Sequence, residues 1–180
     1  MTKNSKEKIA VIGGGSWGTA LADLLARNGN DTTLWVYENE IAAEMATARV
    51  NSVYLPGIRL PESLAITSSL PEALQGCTIM LLVTPVQVMR SVLSQASAFI
   101  GPETLLVNAS KGIELDSLKT VSQICSEILG PDIMRRYVAL SGPTFAREVA
   151  EQLPTLILAA SSDESCARRV QAAVSNPTFR

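Results

Sequence analysis

Along the chain, short unbroken apolar runs alternate with longer runs whose apolar residues recur at the spacing of one helix face. Residues 9–12 form the first apolar run and 19–27 the first helix, which the turn cluster Asn28-Gly29-Asn30-Asp31 ends. A second strand is expected over 32–36 and a second helix over 38–49, where Ile41, Met45 and Ala48 keep helical spacing. Residues 51–61, with Tyr54-Leu55-Pro56-Gly57 and Leu60-Pro61, read as a proline-pinned loop. A short strand over 63–67 and a short helix over 70–74 follow. Residues 77–83 make a continuous apolar run, as a strand buried on both faces requires. It stops at Thr84-Pro85, where the proline suits the first turn of a helix over 86–100, with Val88, Val92, Leu93 and Ala96 as its apolar stripe. Further strands are expected over 103–108, 137–140 and 155–160. Helices are expected over 118–129 and 164–174, the last behind an N-cap-like Ser161-Ser162-Asp163. This alternation predicts an α/β fold, a doubly wound and mainly parallel sheet with helices on both faces.

The first strand-to-helix turn carries Gly13, Gly15 and Gly18 in the spacing G-x-G-x-x-G. In a Rossmann-type turn such glycines give a tight bend, close backbone approach to a pyrophosphate, and close helix-to-strand packing. The helix that follows would offer free N–H groups and the positive end of its dipole to the phosphates. Glu38, just past the second strand, lies at about the distance expected for a ribose contact. The same residues also fit an ordinary strand–turn–helix without a ligand. Ligands of open parallel sheets sit outside the carboxyl ends of the strands. Tyr37-Glu38, residues 84–87 with Pro85 and Gln87, and Ser110-Lys111-Gly112 fall at such ends. There Lys111 can direct its ammonium to an anionic or hydroxyl-bearing substrate, or be a solvated surface lysine. Ser141-Gly142-Pro143-Thr144 offers amides and hydroxyls to an oxygen-rich ligand, and a helix cap explains it equally well. Trp17 either covers a cofactor or packs in the core.

At 180 residues the chain fits one domain, with residues 1–7 as a polar N-terminal tail. A composition 47% hydrophobic and 18% charged is that of a packed globular domain. The net charge of −2, without a basic run, argues against nucleic acid as a partner. No apolar run is long enough to span a bilayer and the first residues lack a signal-peptide core, so the expectation is a cytoplasmic protein. Cys77, Cys125 and Cys166 are far apart, which predicts buried, reduced thiols and no metal site. With 0 histidines, no Ser–His or Cys–His relay exists within this sequence, and any proton transfer falls to Lys, Asp, Glu or Tyr.

Gly13-Gly-Gly-Ser-Trp-Gly-Thr-Ala-Leu-Ala22, Leu34-Trp35, Tyr54-Leu-Pro56, Ser110-Lys111-Gly112 and Ser141-Gly-Pro-Thr-Phe-Ala146 stand in a fixed order. Together they resemble the motif set of the bacterial-type NAD(P)-dependent glycerol-3-phosphate dehydrogenases. The resemblance implies hydride transfer between sn-glycerol 3-phosphate and dihydroxyacetone phosphate, feeding phospholipid synthesis, with a helical second domain that this chain lacks. It implies that Ser16 and Trp17 touch the cofactor phosphates and that Tyr37 lies by the adenosine. Pro85 and Gln87 match a cofactor-side loop. Lys111 is implied to touch both cofactor and substrate, Gly142 and Thr144 the substrate, and Ala146 the cofactor. The family's catalytic lysine would lie beyond Arg180, so no catalytic residue is expected here and the chain alone would be inactive or nearly so. A homodimer of the full-length protein is compatible with the resemblance. Many bacterial members carry an arginine, suited to NADP, where Tyr37 stands. Tyr37-Glu38 looks more like the NAD-specific relatives, so NAD is expected to be preferred over NADP. Two other readings stand beside this one: a β-hydroxyacid dehydrogenase-type oxidoreductase, and a non-enzymatic dinucleotide sensor.

Overall fold

The structure, a computed structural model, describes residues 6–180. In chain order, β1 (Lys8–Ile12) leads into α1 (Ser16–Arg27), and β2 (Asp31–Trp35) into α2 (Asn39–Ala48). A hairpin of β3 (Val50–Asn51) and β4 (Leu55–Arg59) precedes β5 (Ala65–Thr67) and α3 (Leu70–Leu74). Then come β6 (Ile79–Leu82), α4 (Val86–Ala96), β7 (Leu105–Asn108) and α5 (Val121–Leu129). The chain continues through β8 (Tyr137–Ser141), α6 (Ala146–Ala150), β9 (Leu158–Ala160) and α7 (Glu164–Val174).

The main sheet is 7-stranded in the order β5-β2-β1-β6-β7-β8-β9. All its pairs are parallel except β8 with β9. From β1 the chain winds outward through β2 and β5, then returns to lay β6 against the other side of β1. That reversal makes a crevice at the carboxyl ends of β1 and β6, the place where open α/β sheets bind ligands. Side chains of the central strands alternate between two cores. Ile9, Val11, Ile79, Leu81 and Val107 pack with α1, α6 and α7. Ala10, Ile12, Met80, Leu82 and Leu106 pack with α3, α4 and α5. Burial on both faces is why these strands are apolar without interruption. Cys77, Cys125 and Cys166 are buried and unpaired, and burial pushes the Cys125 thiol up to about 12. No helix among the described residues is long and apolar enough to cross a membrane.

Four details differ from the periodicity reading. The loop over 51–61 holds all but the first residue of the β3–β4 hairpin, with Leu55 buried and Gly57 at φ 81°. Helix α5 begins at Val121, because Leu118 is left-handed (φ 56°) and Thr120 forms a capping box with Gln123. The last strand shortens to Leu158–Ala160 and runs antiparallel. Val88, part of the apolar stripe read for this helix, is exposed and faces the crevice.

Of the polar tail expected over 1–7, residues 1–5 lie outside the described residues, and Glu7 is fastened to the sheet. It is buried, and its carboxylate accepts hydrogen bonds from Arg169 at 2.6 and 2.7 Å and from the Thr78 hydroxyl at 2.5 Å. The Arg169 bonds hold the Glu7 carboxyl below its ordinary value despite burial. A lowered folded-state value gives a contribution that is complete above the unfolded pKa and lost as pH falls through the folded one. Glu7→Gln should therefore flatten the loss of stability as pH falls below the ordinary glutamate range, measured by denaturant unfolding of both proteins. Equal losses there would contradict the coupling.

Candidate functional site

The crevice opens into a cavity of about 640 Å³. Its floor is the turn from Gly13 to Gly18. Gly13 has φ +129°, and a Cβ there would stand 2.8 Å from the Val83 carbonyl oxygen. A Cβ on Gly18 would stand 1.9 Å from the Gly13 carbonyl oxygen, so α1 packs on its own strand as only glycine permits. Gly15 is different. Nothing lies within 4 Å of its Cβ position, and it caps α1 without a side-chain hydrogen bond. No acidic residue occupies the first turn of α1, whose amides lack intrahelical partners. Backbone donors and the dipole therefore face open space, a setting for an anion. Trp17 is half-buried, lines the cavity and also packs against the core.

At one end of the cavity stand Tyr37 and Glu38, beyond β2. The Tyr37 ring meets Trp35 edge-on at 6.1 Å, while Glu38 is exposed and accepts a 3.2 Å hydrogen bond from the Tyr54 hydroxyl. That bond to Glu38 is the main cause of the raised Tyr54 phenol pKa. Leu70 and Val92 supply an apolar wall with Val88, and Pro85 lines the same side. Opposite, beyond β7, Lys111 borders the cavity with an exposed side chain. The segment after it is held from α4. Gln87 donates to the Ile113 carbonyl at 3.0 Å and accepts from the Leu115 amide at 3.1 Å. Arg90 reaches both Glu114 oxygens at 3.1 and 2.9 Å, which with the Ser117 hydroxyl brings the Glu114 carboxyl down to about 2.

The structure thus brings together Gly13, Gly15, Ser16, Trp17, Gly18, Tyr37, Glu38, Pro85 and Lys111. Gln87 sits one turn along but spends its amide on residues 113–115; Gly142 and Thr144, between β8 and α6, and Ala146, the first residue of α6, lie outside the lining. A Cβ on Gly142 would stand 2.9 Å from the Leu156 carbonyl oxygen, and the Thr144 amide donates to the Gly142 carbonyl at 3.0 Å. Phe145, not one of these residues, is the N-cap of α6 and makes no side-chain cap bond, so the capping explanation for Ser141-Gly142-Pro143-Thr144 does not hold. Tyr54 carries a family-like motif, but nothing local in sequence paired it with Glu38.

The family described as NAD-dependent glycerol-3-phosphate dehydrogenase N-terminus matches residues 8–167. The chain belongs to this family. Glycerol-3-phosphate dehydrogenase, NAD(P)+, of Trichlorobacter lovleyi is 57% identical over 173 residues, covering 96% of this chain and 52% of that protein. The enzyme of the same name from Geobacter metallireducens is 54% identical over 174 residues, covering 97% and 52%. A crystal structure of glycerol-3-phosphate dehydrogenase from Coxiella burnetii superposes with a TM-score of 0.90 at 33% identity, covering 97% of this chain and 53% of that one. The chain spans about half the length of the curated glycerol-3-phosphate dehydrogenases it matches. Membership sets aside the β-hydroxyacid dehydrogenase alternative.

Proposed function

We propose that this chain is the dinucleotide-holding half of an NAD(P)-dependent glycerol-3-phosphate dehydrogenase. It would hold NAD(H) in preference to NADP(H) while hydride passes between the nicotinamide and C2 of sn-glycerol 3-phosphate or dihydroxyacetone phosphate. The reading carries with it a cytoplasmic setting and a supply of glycerol 3-phosphate for phospholipid synthesis. The observation that carries it is the bare Gly15 position, open in front of the α1 amides at the floor of the cavity.

When bound, the nicotinamide donates or accepts the hydride. The protein's own residues do the rest. The amides of Gly15, Ser16 and Trp17 would neutralise the diphosphate without bringing in a cation. Glu38 would accept from a free ribose hydroxyl and repel a phosphate at the same place. Tyr37 and the Leu70–Val88–Val92 wall would flank the adenosine. Lys111, across the cavity, would attract the substrate phosphate or polarise its C2 oxygen. Gly142 and Thr144 would complete the substrate side and Ala146 would approach the cofactor. The group that takes the C2 hydroxyl proton would be the lysine that the family resemblance places beyond Arg180.

The full-length protein should oxidise NADH when dihydroxyacetone phosphate is added, while residues 1–180 alone should bind NADH with little or no turnover. Spectrophotometry at the NADH band checks both. A full-length protein that binds NADH and ignores the substrate would instead favour the sensor reading.

A further inference from the structure

Asn51 is a fully enclosed polar side chain beside the glycine turn. It is 0% exposed, yet it belongs to the hairpin outside the main sheet, with its hydrogen-bond partner Gly14 lying 37 positions away. Its Nδ2 donates to the Gly14 carbonyl at 2.9 Å and to the Thr19 hydroxyl at 2.8 Å. The Thr19 hydroxyl in turn donates to the same Gly14 carbonyl at 3.2 Å. On its other side, Asn51 Oδ1 accepts from the Tyr54 amide at 2.9 Å. Every polar atom of this buried side chain is thus engaged, and two donors converge on one carbonyl.

That carbonyl belongs to the peptide joining Gly14 to Gly15. In a planar trans peptide the C=O and the N–H point to opposite sides. Holding the Gly14 oxygen inward therefore directs the Gly15 N–H outward, toward the side where Gly15 borders the cavity with no atom near its Cβ position. Among the described residues the Gly15 N–H has no hydrogen-bond partner. Gly14 itself is pressed against Val36, whose methyls would stand 2.8 Å from a Cβ, so the peptide is confined from the side as well.

We infer that Asn51 is a positioning residue for the dinucleotide diphosphate: it locks the Gly14–Gly15 peptide in the orientation that presents the Gly15 N–H to a phosphate oxygen. This rests on the dinucleotide reading above and adds to it a residue from outside the glycine turn. A donor oriented before the ligand arrives binds more tightly than one that must reorient, because the ordering has already occurred. Without Asn51, only the longer Thr19 bond holds the Gly14 oxygen. The peptide can then rotate and the Gly15 N–H is no longer fixed on the ligand.

The test compares ligands with and without a diphosphate on the 180-residue chain, followed by amide NMR. In the parent chain, ADP-ribose should shift the Gly15 amide resonance strongly and adenosine should leave it in place. Asn51→Ala should weaken ADP-ribose binding about tenfold, the worth of one charge-assisted hydrogen bond. Its adenosine affinity should stay within about twofold, well under the effect of one lost hydrogen bond. Equal weakening of both ligands would show a general loss of structure, and no weakening of ADP-ribose would show that the peptide holds itself; either overturns the inference. Should Asn51→Ala fail to fold, the parent chain decides: ADP-ribose bound without a shift at Gly15 overturns it. No ADP-ribose binding to the parent chain would overturn the dinucleotide reading first, and this inference with it.

Discussion

Gly15→Ala should leave the fold standing and remove most of the cofactor affinity, whereas Gly18→Ala should damage the fold itself. The two glycines belong to one turn and stand three positions apart, so no difference in sequence motif separates them. The surroundings do. At Gly18 a methyl would lie 1.9 Å from the backbone oxygen of Gly13, and neither partner is a side chain that can swing away. Strand β1 and helix α1 would have to separate, and both contribute to the main core. A cost of about 3 kcal/mol or more is expected, at the upper end of what overpacking causes. At Gly15 the backbone is extended (φ −68°, ψ 179°) and the space is open. Alanine there should cost no more than about 1 kcal/mol, since only a cap preference changes. Its methyl, however, enters the space where a phosphate must approach the first-turn amides. Loss of even one such contact weakens NADH binding by about tenfold or more. Thermal unfolding and NADH titration of both variants check this. A Gly15→Ala protein that binds NADH like its parent would contradict the assigned phosphate position.

Binding of NADPH should be weaker than that of NADH by at least about tenfold, because a 2′-phosphate would meet the Glu38 carboxylate. Glu38→Gln should bring the two affinities together, chiefly by tightening NADPH. The Tyr54 hydroxyl donates to this carboxylate at 3.2 Å and so favours its present orientation. Tyr54→Phe should therefore relax the discrimination in part while leaving NADH binding nearly unchanged. Both groups are exposed, so added salt should narrow the gap between the cofactors. Parallel titrations with NADH and NADPH at low and moderate ionic strength measure it. A parent chain that prefers NADPH, or a Glu38→Gln variant with an unchanged ratio, would contradict the role given to Glu38.

Much of the fold was legible because its cause is local. Residues 79–82 are apolar on both faces since helices cover both, and Gly13 and Gly18 are glycines because backbone presses on them. The outline of the site followed from the same logic, as strand ends in an open parallel sheet converge on one crevice. Hidden features depend on partners distant in sequence. Leu118 continues an apolar spacing yet sits at left-handed φ, ahead of the cap at Thr120. The Pro56-Gly57 pair signals a turn and is in fact part of a strand that pairs with Val50–Asn51. Tyr54 reaches Glu38 across 16 positions and Asn51 reaches Gly14 across 37, so neither contact leaves a periodic trace. Gly14, the unremarked position between the fingerprint glycines, is confined by Val36 from the neighbouring strand end.

A crystal structure of the chain grown with saturating NADH tests the central claim most directly. The diphosphate should lie over Gly15, with its oxygens about 3 Å from the amides of Gly15, Ser16 and Trp17. The ribose nearest Tyr37 should donate a hydroxyl to Glu38. A nucleotide bound elsewhere, or an empty crevice at a concentration that saturates the relatives, would contradict it.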